Sequence, residues 1–246
     1  MKWHYRRVVP ERSPDEIQVG RDLSARGAPS LIVEDMKLYL TSERMGDDSD
    51  RLLAMITPRG RVAVVSNALD LISEEARRAY AARGGFVVQN WFRNQGLEVI
   101  DLDLRTYFNN GSIDAALGPV DLVWATGGNS FLLLRAIRQS GLEASLKRRL
   151  AENSISYGGW SAGACVAGSS LRGIHLMDDP VSVANGYDPK PQWAGMGLVD
   201  YVIVPHFRSA HPESNAAERA SAWLGQQNIP FRTLRDGESI ITNEAA

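Results

Sequence analysis

A chain of 246 residues, 44% of them hydrophobic and 23% charged, is long enough to bury a sizeable core, and its formal net charge of -2 offers no electrostatic footprint for nucleic acid or an anionic membrane. The lone cysteine, Cys165, excludes an internal disulfide, and no Cys/His cluster carries the spacing of a zinc site. With no apolar stretch of signal-peptide or membrane-spanning length, the expectation is a cytoplasmic protein whose partners are neither nucleic acid nor membrane.

Residues 1–35 mix acidic and basic side chains with prolines and little periodicity, and read as an N-terminal extension; Ser13-Pro14-Asp15-Glu16 has the makeup of a helix start within it. From residue 36 to 246 the chain reads as one domain. Short β-branched runs predict strands over 37–41, 61–66, 97–102, 121–125, 155–158 and 201–205, alternating with helices over 73–95, 130–139, 142–152, 162–169 and 213–227. Ser73-Glu74-Glu75 supplies a helix cap and first-turn acids, while Gly84-Gly85 marks a place for a kink or break. The alternation predicts an α/β fold with a mostly parallel central sheet covered by helices. Residues 174–199, rich in Pro, Gly and Asp, read as turns and short edge strands.

The sharpest chemical feature is Gly159-Trp160-Ser161-Ala162-Gly163, where a strand turns directly into a small-residue helix. Such an elbow projects the serine hydroxyl from the strand end, and the following helix aims its N-terminal N–H groups at the same point, where an oxyanion forms during acyl transfer. A tight turn with an inert serine has the same pattern. The loop Ala125-Thr126-Gly127-Gly128-Asn129-Ser130 also joins a strand to a helix; by itself it reads as a Gly turn with Asn129 as helix cap or as a phosphate cradle, and paired with the elbow it offers the Gly128 N–H as a second oxyanion donor. A base is needed, and of the four histidines His206 alone follows an apolar strand run. His4 lies in the extension, and His175 and His211 fall in polar segments expected to be exposed. The acid that orients the imidazole is Asp236, Asp178 or Asp179.

Together MKLYLTS, ATGGNSFLLL, YGGWSAGACVAG, VPHF and LRDGESI resemble, in order and spacing across residues 36–242, the dipeptidase E family of aspartyl dipeptidases and, more distantly, the cyanophycinases. The resemblance implies a three-layer α/β/α fold of the class I glutamine amidotransferase-like (flavodoxin-like) kind, with serine where amidotransferases carry cysteine. It also implies a Ser-His-acid peptidase that removes an N-terminal aspartate from short peptides and needs neither metal nor organic cofactor; as for assembly, either a monomer or a homodimer is expected. Carried over by position, the nucleophile is Ser161, the base His206 and the acid Asp236, where close relatives have glutamate. Asp178 is held in reserve. The oxyanion donors fall on Gly128 and Ala162, and Asn129, Asp178, Arg208 and Arg219 are the residues expected to meet substrate.

Two departures stand out. Ala216 occupies the helix position where the family's aspartate-binding arginine is expected, with Arg208 and Arg219 as nearby substitutes. The chain also stops at Ala246, where relatives run on through a further strand, which predicts weaker support for Asp236. Two rival readings fit the same residues: an α/β-hydrolase-type esterase using Ser161, Asp178 and His206 in that order, and a non-catalytic amidotransferase-like ligand-binding protein.

Overall fold

The computed structural model describes residues 36–108 and 112–242. The expected N-terminal extension, with His4 and the Ser13–Glu16 helix start, lies outside the described residues. Five short apolar runs form parallel strands: β1 (Leu38–Thr41), β2 (Arg61–Val65), β3 (Glu98–Asp101), β4 (Leu122–Ala125) and β5 (Ser156–Trp160). With the antiparallel β8 (Ser239–Thr242) they make one sheet in the order β3-β2-β4-β5-β1-β8.

Because side chains alternate across a strand, the runs that are apolar throughout serve two cores at once. Leu38, Leu40, Ala63, Val65, Val123 and Ala125 face one core. That core is completed by α5 (Ser130–Gln139), α6 (Leu142–Ala151) and α8 (Ser214–Gln226), through residues such as Phe131, Leu146 and Leu224. Tyr39, Val62, Val64, Leu122 and Trp124 face the other, against Leu52 of α1 (Ser49–Ala54) and Phe92 of α3 (Val88–Asn94). This is the expected helix–sheet–helix layering.

Several boundaries differ from the sequence reading. The expected helix over 73–95 is two: α2 (Glu74–Ala82), capped by Ser73 Oγ accepting from Ala76 N at 3.2 Å, and α3. Gly84, at φ 79, ends the first, which buries no side chain, so the apolar period restarts at Val88 and Phe92. The expected helix over 162–169 is the single turn α7 (Ala162–Cys165). The carbonyls that would continue it are taken from outside: Met196 N donates to Val166 O, Leu198 N to Ala167 O and Gly197 N to Gly168 O. Also unforeseen were α1, α4 (Ile113–Leu117), β8 and β7 (Phe231–Thr233), which pairs in parallel with β6 (Val202–Val204).

The weak support expected for Asp236 is corrected by the same two strands. Leu234 N donates to Val204 O beside it, and β8 begins three residues later, pairing Ser239 with Thr41. Residues 174–199 open with a 3₁₀ turn, Ile174–Leu176, and continue as turns; of the short edge strands expected there, the described residues form an isolated bridge, Ala194 to Ser170. They are held by the buried Arg135, which donates to Pro180 O at 2.6 Å and Lys190 O at 3.3 Å. Among the described residues no helix is long and apolar enough to cross a membrane.

Candidate active site

Thr41, Ala125 and Trp160 come into line through the parallel register, with Thr41 opposite Trp160 and Ala125 opposite Gly159. The loops that follow β1, β4 and β5 therefore share the carboxyl edge of the sheet, where open α/β sheets bind ligands. Ser161 stands there at φ 50, a left-handed value costing a non-glycine residue on the order of 1–3 kcal/mol. The flanking glycines are what permit the turn. A Cβ at Gly159 would lie 2.7 Å from Ala125 O, and one at Gly163 would strike the same carbonyl. Tyr157 Oη donates to Gly163 O at 2.7 Å inside the core, and Ser161 Oγ caps no helix N–H.

The second glycine loop lies against this elbow. A Cβ on Gly127 would sit 2.5 Å from Trp160 Nε1 and 3.3 Å from Ser161 Cβ, so the close approach requires glycine. Gly128 adopts φ 136 with its α-carbon packed on the Ala68 carbonyl, and Asn129 N donates to that carbonyl at 2.9 Å. Among the described residues neither Gly128 N–H nor Ala162 N–H donates to a protein acceptor. Asn129, expected to meet substrate, spends its side chain on architecture: Oδ1 accepts from Leu132 N at 2.9 Å and Nδ2 donates to Asp179 O at 3.0 Å.

His206 follows β6, is 2% exposed and has φ 61. Its Nδ1 lies 2.7 Å from Asp236 Oδ1. Since Asp236 Oδ1 also accepts from Ser42 Oγ at 2.7 Å, the carboxylate acts as acceptor on both sides, which assigns the proton to Nδ1 and leaves Nε2 as a lone-pair base. Two adjacent β1-edge residues tether both partners: Thr41 O accepts from Ser161 N at 3.1 Å, and Ser42 Oγ accepts from His206 N at 2.7 Å. Burial and the neighbouring His211 hold the His206 imidazole down at about pKa 4, against the opposing pull of Asp236.

His211 and His175 correct the expectation of exposure. His211 is half-buried and stacks on His206 with ring centroids 3.6 Å apart and planes 10° from parallel. His175 is half-buried against Trp193 and Trp223. Asp178 does not touch His206 in any hydrogen bond; its Oδ2 accepts from Ser130 N at 2.8 Å at the start of α5. Burial pushes its carboxyl up to about 6, and burial with the charges of Asp178 and Asp236 pushes Glu213 up to about 7. Asp179 caps the next turn, accepting from Val181 N and Ser182 Oγ.

Among the described residues one group of three has metal-ligating atoms close together: those of His206, His211 and Glu213 lie within 4.8 Å of one another. One feature works against a metal there: His211 Nδ1 accepts from Glu213 N at 3.2 Å, which spends the lone pair of that nitrogen and places the ring proton on Nε2. Cys165 is buried and its thiol is pushed well above the usual range by burial, so it has no nucleophilic character.

The two arginines expected near substrate are engaged at the surface. Arg208 Nε lies 3.7 Å from Glu218 Oε1 with its guanidinium over Phe207, and Arg219 donates to Asn215 O at 3.1 Å. Ala216 is 8% exposed. Sequence reasoning passed over Ser42, although MKLYLTS ends on it, and the His211-Pro212-Glu213 run, whose polar surroundings concealed that the chain folds back over His206.

Residues 76–246 match the sequence model of peptidase family S51. The chain belongs to peptidase family S51. Among curated relatives of this S51 chain, peptidase E of Streptomyces coelicolor is 33% identical over 141 residues, covering 55% of this chain and 54% of that protein. Peptidase E of Salmonella arizonae is 35% identical over 103 residues, covering 42% and 41%. The chain thus spans about half the length of the curated relatives it matches. The S51 fold is shared with a crystal structure from Listeria monocytogenes described as a peptidase E, at TM-score 0.59 and 20% identity over 86% of this chain and 99% of that one. It is shared too with a peptidase from an acI-B1 actinobacterium, at TM-score 0.61 and 14% identity over 87% and 86%.

Proposed function

We propose that this chain is a serine peptidase that hydrolyses short peptides through an acyl-enzyme on Ser161. The observation that carries the reading is the pair of tethers on one strand end: Thr41 O holds the Ser161 amide and Ser42 Oγ holds the His206 amide, while His206 Nδ1 meets Asp236 at 2.7 Å. Membership of a peptidase family supports the reaction class.

In this mechanism His206 Nε2 takes the proton as Ser161 Oγ attacks the scissile carbonyl, and the Gly128 and Ala162 N–H groups receive the developing oxyanion. Asp236 stabilises the imidazolium, which then protonates the leaving amine. Water, deprotonated in turn by His206, attacks the acyl-enzyme and frees Ser161. No hydrogen bond joins Ser161 Oγ to His206 among the described residues, and such bonds commonly tighten when substrate binds.

The acid bonded to His206 follows it in the chain, whereas an α/β-hydrolase esterase runs Ser, acid, His. The residues that would select a substrate aspartate do not favour it here. Position 216 is alanine, and Arg208 and Arg219 are occupied by Glu218 and Asn215. A single buried thiol fits a reducing, cytoplasmic setting.

The test is a panel of free-amine dipeptides varied at the first residue, given to wild type and Ser161→Ala. Cleavage by wild type alone supports the proposal. Fast p-nitrophenyl ester turnover with no peptide cleaved favours the esterase, and no turnover of either class favours a non-catalytic binder.

A further inference from the structure

We infer that Ser42 is a positioning residue for the acid–base pair, linking the end of β1 to Asp236 and His206 through one hydroxyl. The inference rests on the proposed Ser161-His206-Asp236 mechanism. Ser42 is fully buried, and its Oγ accepts from His206 N at 2.7 Å, donates to Asp236 Oδ1 at 2.7 Å and lies 3.5 Å from His206 Nδ1.

The direction of the chain follows from proton counting. The His206 N–H can only donate, so it occupies a lone pair of Ser42 Oγ. Asp236 can only accept, so the hydroxyl proton points to its Oδ1. That oxygen then receives Ser42 O–H and His206 Nδ1–H together, with no freedom to rotate away from the ring. The backbone bond matters equally, because His206 has φ 61, a strained value that persists only where the surroundings hold it. An alanine at position 42 leaves the buried His206 N–H without an acceptor and Asp236 without its second donor.

Both losses act on the base in the same direction. A carboxylate with one donor fewer carries more uncompensated charge and draws the imidazolium form more strongly, and a loosened backbone admits water to the ring. Titration of His206 in Ser42→Ala therefore moves to higher pH, and turnover falls by about 10- to 100-fold, the scale of losing one hydrogen bond to a charged group. KM stays near the wild-type value, since Ser42 touches no substrate.

The experiment is nitrogen-15 NMR titration of the histidine imidazoles in wild type, Ser42→Ala, Ser42→Cys and Ser42→Thr, with fluorophosphonate labelling rates measured on the same proteins. Expected are an upward His206 shift and slow labelling in Ser42→Ala and Ser42→Cys, with recovery of both in Ser42→Thr, which restores the hydroxyl. Ser42→Cys keeps the volume and serves if the alanine protein does not fold. A wild-type His206 titration in the folded alanine or cysteine variant overturns the inference. Failure of wild type to label overturns the nucleophile assignment instead, and the NMR comparison reports on Ser42 regardless.

Discussion

The ring of His211 lies parallel to that of His206 at 3.6 Å and closes one face of the proposed base to solvent. Burial is the largest cause of the depressed His206 pKa and His211 the next, so the account predicts how His211→Ala behaves. In wild type the acidic limb of kcat/KM is predicted to fall near pH 4 instead of near 6.5, because the base is lost only when His206 protonates. Removing His211 relieves both causes, and the limb moves upward toward 6.5. A pH–rate profile of the variant checks this, and an unmoved limb contradicts it.

Gly128 is held both by chemistry and by space. A Cβ there would lie 2.5 Å from Ala68 O, at a φ of 136 that other residues rarely adopt. Gly128→Ala is predicted to lower kcat by about 100- to 1000-fold through the displaced oxyanion donor. It is also predicted to lower stability by about 1–3 kcal/mol through strain. Turnover and thermal unfolding measured together separate the two. Full activity would remove Gly128 from the oxyanion site.

Asp178 makes a prediction about stability. Its carboxyl ordinarily titrates near 3.8 and is raised to about 6 in the fold by burial. Below 3.8 both folded and unfolded forms are protonated. As pH rises toward 6 the unfolded chain loses its proton first, so the folded state loses stability across that window and none beyond it. Asp178→Asn keeps an acceptor for Ser130 N and removes this loss. Its Tm is expected to exceed that of wild type above pH 6, with the gap closing below pH 4; a gap independent of pH contradicts the assignment.

Local signals carried much of this architecture. Runs such as Arg61–Val65 and Leu122–Ala125 are apolar on both faces, and the elbow from Gly159 to Gly163 announces its own turn, so strands and nucleophile position were readable. What was hidden depended on long-range partners. The helix after Cys165 stops where the segment at 196–198 claims its carbonyls, a long-range partner that the nearby Gly168 does not name. Strand β8, Ser239-Ile240-Ile241-Thr242, is β-branched and readable as a strand, but its antiparallel partner, the edge of β1, is not written in the local sequence. Ser42 and His211 read as a polar strand end and a loop histidine until the fold brings residues 42, 206, 211 and 236 together.

The most direct test of the central claim is where a fluorophosphonate attaches. Intact mass and peptide mapping of the labelled protein are predicted to show one adduct, on Ser161. Labelling should be slowed on the order of 10⁴-fold in Asp236→Asn, which fixes the wrong imidazole tautomer. An adduct on another residue, or none in a folded protein that cleaves peptides, would contradict the account.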